Sequence, residues 1–106
     1  MRRGSTPSVE LIIPGIDLTG AAIRVAIAQD GNLLVKTGTD VSVYYDSVGD
    51  KTTLTVPYTQ QQTLKFSEGR AQIQVRWVFS DGRADGTSVK AVAITPVLED
   101  GVIEYA

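Results

Sequence analysis

The residues of this chain that could do chemistry are carboxylates, hydroxyls and a few aromatics. Histidine and cysteine are both absent. The commonest general base and metal ligand is therefore missing, and so are disulfides, thiolate metal sites and sulfur nucleophiles. No Gly-rich phosphate loop, His-Glu-x-x-His helix or strained Gly-x-Ser-x-Gly elbow occurs. Asp81-Gly82-Arg83-Ala84-Asp85 places acids close together, but a calcium loop needs oxygen ligands at alternate positions and a closing glutamate. The segment reads as a turn followed by a solvated loop. Nothing brings a particular pair of acids together, so the expectation is a protein that is not an enzyme and uses no cofactor or metal.

Aromatic faces suit sugars, and Tyr44, Tyr45, Tyr58 and Trp77 are the available platforms. Tyr45 and Trp77 share strand parity with Val43 and Val75, so alternation sends them to the core. Tyr44 and Tyr58 remain as candidate surface aromatics. The run Gln60-Gln61-Gln62 reads as helix surface with a capping role. Arg24, Arg76 and Lys90 fall on polar strand faces, where they keep the sheet soluble or pair with carboxylates. Each such exposed pair contributes about 0–1 kcal/mol.

The elements that must position these groups are strands. Residues 9–13 form a short β-branched run closed by Pro14-Gly15, and residues 21–28 alternate with Ile23, Val25 and Ile27 on one face. Gln29-Asp-Gly-Asn32 is a hairpin turn into Leu33, Leu34 and Val35. Thr37-Gly-Thr-Asp40 turns the chain into residues 41–45, and the loop at 46–51 returns it through residues 53–56. Thr59 followed three residues later by Gln62 has the form of a capping box, so residues 59–65 are expected to make a short helical crossing. Residues 71–79 then form a long alternating strand in which Ile73, Val75, Trp77 and Phe79 centre the core. An Asp81-Gly82 turn leads to a returning strand at 89–94. Strands recurring about every ten residues, with turn chemistry between them, predict an all-β fold: an immunoglobulin-like antiparallel β-sandwich of about seven strands with one short helical crossing.

Composition sets the remaining bounds. The chain has 106 residues, 42% of them hydrophobic and 21% charged, which fits one domain with a single core. Ten basic and 12 acidic residues give a net charge of −2, so no basic face invites nucleic acid. No segment approaches the roughly 20 apolar residues of a membrane helix. The start Met1-Arg-Arg-Gly-Ser-Thr-Pro7 has no apolar run long enough for a signal peptide, so synthesis in a cytosol is expected.

The ends differ from the middle. Residues 1–8 are polar and aperiodic and read as a loose N-terminal arm, with the sandwich at 9–95. Residues 96–106 form a C-terminal tail in which Val97, Leu98, Val102, Ile103 and Tyr105 are too apolar for solvent. Such a tail either pairs as an edge strand of its own sheet or lies against a neighbour.

Three segments resemble phage tail and baseplate proteins, in particular the family of the N-terminal domain of baseplate upper proteins and its single-domain relatives. They are Arg3-Gly-Ser-Thr-Pro7 before a short strand, the crossing Tyr58-Thr-Gln-Gln-Gln-Thr-Leu-Lys-Phe66, and the strand 72–79 with its Asp81-Gly82 turn and the end Leu98-Glu-Asp-Gly-Val-Ile103. The family's crossing reads Leu-Thr-Gln-Glu-Glu-Thr-Leu-Lys-Phe, so tyrosine here replaces a smaller apolar residue and glutamines replace acids. The resemblance implies a non-enzymatic structural subunit of a phage or prophage-derived tail, made in the host bacterial cytoplasm and located in the virion. Its partners would be other tail or baseplate proteins and copies of itself, with no membrane insertion. The candidate assembly contacts are Arg3, Pro7, Val97, Leu98, Val102, Ile103 and Tyr105, since extended arms can add to a neighbour's open sheet edge. The alternative is a sandwich module that recognises host-surface carbohydrate through Tyr44 and Tyr58.

Overall fold

Eight strands and one short α-helix make up the computed structural model, which describes residues 1–99 and 101–105. The strands are β1 (Ser8–Pro14), β2 (Ala22–Gln29), β3 (Asn32–Thr37), β4 (Ser42–Asp46), β5 (Lys51–Pro57), β6 (Gly69–Val78), β7 (Ala84–Gly86) and β8 (Lys90–Ile94). A turn of 3-10 helix at Gly38–Asp40 precedes β4, and helix α1 (Gln60–Leu64) joins β5 to β6. One sheet has the order β1-β5-β4. The other runs β3-β2-β6, with β7 and β8 both paired to β6 along its far edge. All strand pairs are antiparallel.

This order is that of an immunoglobulin sandwich. Strands β1, β5 and β4 take the places of B, E and D, while β3, β2, β6 and β8 take those of C′, C, F and G. The chain changes sheet between β1 and β2, between β3 and β4, and through α1 between β5 and β6. The core between the sheets draws Ile23, Val25 and Ile27 from β2, Leu54 and Val56 from β5, and Ala71, Ile73, Val75 and Trp77 from β6. Fully burying a side chain of this size contributes about 1.5–3 kcal/mol. No B–F disulfide is possible here, so packing alone ties the sheets.

Local chemistry explains the connections. Asp30 and Gly31 both have positive φ, 45° and 87°, as a two-residue type I′ hairpin between β2 and β3 requires. The Thr59 hydroxyl accepts from the Gln62 amide at 3.1 Å, and the Gln62 side chain accepts from the Thr59 amide at 2.9 Å, completing the expected capping box. The buried polar side chains of Gln29 and Thr52 are satisfied by backbone. Gln29 accepts from the Ser67 amide at 2.7 Å and donates to the Ser67 carbonyl at 2.8 Å, while Thr52 donates to Ile16 and accepts from Leu18.

Four details differ from the sequence expectations. An extra strand, β7, forms where a loop was expected, ahead of the returning strand β8, and Thr87 after it also bonds back to β6: its amide donates to the Val75 carbonyl at 2.8 Å and its hydroxyl accepts from the Val75 amide at 3.1 Å. Val43 and Tyr45 lie on an edge strand and stay exposed and half-buried, since β4 has a neighbour on one side only. Tyr58, expected at the surface, is only 3% exposed. It follows β5 into the α1 crossing, where its amide donates to the Pro7 carbonyl at 2.9 Å and its ring lies 5.3 Å from the Lys36 ammonium. Phe79, expected in the centre of the core, is half-buried at its margin, one residue past β6.

Candidate functional site

The two chain ends meet at one end of the sandwich, and the contacts there are backbone-rich. The N-terminal segment is a strap: Arg2 forms a parallel bridge to Thr95, the Arg3 amide donates to the Thr95 carbonyl at 3.1 Å, and the Thr95 amide donates to the Met1 carbonyl at 2.8 Å. Further, the Met1 amino group donates to the Ala93 carbonyl. Arg3 donates from its side chain to the carbonyls of Leu64, at 3.1 Å, and Phe66, which lie at and just past the C-terminal end of α1. A guanidinium suits that place, because the last carbonyls of a helix have no partners within it. The loose-arm expectation therefore gives way. Residues polar enough to look solvated instead satisfy a helix end and the end of β8, and Thr63 completes the seam by donating to the Ser5 carbonyl at 2.9 Å.

The C-terminal segment behaves in the opposite way. Its described residues, 96–99 and 101–105, form no strand, so the edge-strand alternative does not hold for them. Val97 is half-buried, while Leu98 and Tyr105 are fully exposed and Val102 and Ile103 largely so. Among the described residues the Gln60 side chain holds this segment: its amide donates to the Ile103 carbonyl at 3.0 Å and accepts from the Ile103 amide at 2.8 Å. The primary amide thus imitates a peptide group and clips the tail backbone to α1. Gln60 is a contact that sequence reasoning missed. The capping box singles out Gln62, and nothing in the sequence separates Gln60 from Gln61.

A second feature lies at the other end of the larger sheet, on its outward face. A cleft of about 840 Å³ is bounded by Gly38 and Thr39 on one side and by β7 and Thr87 on the other. Arg24 of β2 and Arg76 of β6 stand directly opposite one another in its floor. Like charges so placed repel. The expected pairing with carboxylates is absent: among the described residues neither guanidinium has a hydrogen bond or an ion pair. Asp85, the acid in the lining, accepts from the Gly86 amide at 2.8 Å instead. The cross-strand register that creates this pair is tertiary information, so two arginines 52 positions apart gave no signal.

The other singled-out groups are dispersed. Tyr44 is 68% exposed on the outer face of the smaller sheet, in one cross-strand row with Thr53 and Ile12. Tyr58 is buried, so the two aromatics of the carbohydrate alternative are not brought together. Asp81 pairs with Arg83 at 2.7 Å, and hydrogen bonds from the Arg83 backbone and side chain hold its carboxyl below the ordinary range. Pro7 sits at the junction of strap and β1, its carbonyl bonded to Tyr58.

No protein-family model matches this chain, and no curated protein matches it. Among solved structures, one described as murine CRIg is similar at 12% identity with a TM-score of 0.39, over 92% of this chain and 89% of that chain. A likeness of that size supports no statement about function. The immunoglobulin-like assignment stands on the strand order.

Proposed function

We propose that the chain is a non-enzymatic structural subunit of a bacteriophage or prophage-derived tail, placed in or near the baseplate. It assembles with copies of itself and with other tail proteins, and it is made in the bacterial cytoplasm and carried in the virion. The attribution to a tail comes from the resemblance of the strap, crossing and tail segments. The observation that carries the assembly role is the C-terminal tail, with Leu98, Ile103 and Tyr105 displayed to solvent while Gln60 fixes the backbone beneath them. Large apolar side chains held outward in this way mark a surface waiting for a partner. Strands β3 and β4 are edge strands of their sheets, offering main-chain groups to an added segment. Residues 1–8 serve this role indirectly, by bracing the end of β8 from which the tail departs.

The test is proteomic. Tail particles purified from an induced lysate of the source bacterium should yield peptides of this chain in stoichiometric ratio to other tail components. Purified particles without them would end the tail reading.

A further inference from the structure

Two unsatisfied features of this molecule are complementary in charge and lie at opposite ends of it. One is the cleft with Arg24 and Arg76 side by side in its floor, lacking any acid partner among the described residues. Its lining mixes small and apolar groups, Ala22, Val78 and Ala84, with the polar Thr37, Gln74 and Thr87, and further along the same outer face Leu33 and Val35 are exposed. The other is the tail, which combines exposed Leu98, Ile103 and Tyr105 with Glu99 and Glu104 and has no basic residue. We infer that the tail of a second copy of this chain docks in the Arg24–Arg76 cleft, so that copies join head to tail.

The geometry argues for a second copy as the occupant. Ile94, the last residue of β8, pairs with Gly69 at one end of β6, whereas Arg76 lies seven residues further along that strand. At about 3.3 Å per residue the tail leaves its own domain roughly 23 Å from its own cleft. The Gln60 clip also ties Ile103 to α1, at the tail's own end of the molecule. A chain that kept this clip and occupied its own cleft would have to span the whole sheet twice. A neighbour stacked in line meets no such conflict. An acid from the arriving tail relieves the repulsion between the arginines, and its apolar side chains cover Ala22, Val78 and Ala84 beside them. A contact between unlike surfaces closes into a ring when the rotation permits and otherwise continues as a filament. This inference rests on the assembly reading above and specifies its interface.

Light scattering coupled to size exclusion tests it on the full chain, using Arg24→Glu/Arg76→Glu, Glu99→Lys/Glu104→Lys, and an equimolar mixture of the two. The wild type is expected to elute as an oligomer and each variant alone as a monomer. The mixture should regain the oligomeric mass, because each cleft then meets a tail of opposite charge. Recovery on mixing also shows that both variants are folded, and circular dichroism of each alone checks the same point. Oligomers of unchanged mass in both variants would overturn this interface while leaving the tail-subunit reading intact. A wild type that stays monomeric to millimolar concentration would overturn self-docking itself, whereas the proteomic test would still decide whether the chain is a tail component.

Discussion

A phenol buried without a partner is costly, and Tyr58 is in that position. Its hydroxyl has no hydrogen-bond partner among the described residues, and leaving such a group unpaired costs about 1–3 kcal/mol. Tyr58→Phe should therefore raise stability by about 1 kcal/mol, read as a higher urea midpoint at neutral pH. Burial pushes the Tyr58 pKa up to about 12, against about 10 for an exposed tyrosine. Above pH of about 10 the unfolded chain gives up a proton that the folded chain retains. Stability is thus fully present below that pH and declines as pH rises through about 12. Comparing urea midpoints at pH 8 and 11, the decline should be smaller in Tyr58→Phe than in the wild type. Part of it persists, because the bond from Tyr45 to Asp50 also raises the Tyr45 pKa. At Gln60, substitution by alanine removes the clip on Ile103. Faster amide exchange at Ile103 is expected in Gln60→Ala and not in Gln61→Ala, with global stability changed by less than about 0.5 kcal/mol. Equal exchange in the two variants would show that the clip does not hold in solution. Tyr58 was readable in part: it continues the buried alternation of Thr52, Leu54 and Val56 one step past the strand. Gln60 was not, being chemically identical to its two neighbours.

At the scale of elements, α1 and β7 show the two extremes of legibility. Helix α1 is five residues long and owes its existence to local chemistry that the sequence displays, the Thr59–Gln62 capping box. It also depends on chemistry that the sequence hides, the Arg3 guanidinium arriving from the strap to meet the carbonyls of Leu64 and Phe66. Strand β7 has three residues and no alternating pattern, so it was expected to be loop. It exists because Gly86 lets the backbone approach β6. A Cβ at that position would lie 2.8 Å from the Val75 carbonyl oxygen and 3.2 Å from Arg76 Cγ. Gly86→Ala should push β7 away from β6 at a cost of about 1–3 kcal/mol, the usual range for forcing atoms into a packed site. Because β7 forms one wall of the Arg24–Arg76 cleft, the same variant should shift the assembly equilibrium toward monomer. Chemical denaturation reads the first effect and light scattering the second. A neutral result in denaturation would mean that the β6–β7 pairing adjusts without strain.

For the whole molecule, the question is whether the tail belongs to the fold or to the assembly. The buried core ends at Ile94, and beyond it only Val97 is even half-buried among the described tail residues. Deleting residues 97–106 should therefore leave a cooperative, folded monomer whose stability changes by less than about 1 kcal/mol, while removing self-association. A molten or insoluble product would instead make the tail part of the core. The sequence by itself determined the all-β class, the strand positions in the first three quarters of the chain, the type I′ turn at Asp30-Gly31 and the capped crossing at α1. These are local matters, settled by alternation of side chains and by the backbone preferences of a few residues. Only the tertiary structure decided that the polar strap is tied down while the apolar tail is displayed, and that Arg24 faces Arg76 without a counter-charge. Those outcomes depend on which strands become neighbours and in what register, and pairing between residues dozens of positions apart leaves no trace in local pattern.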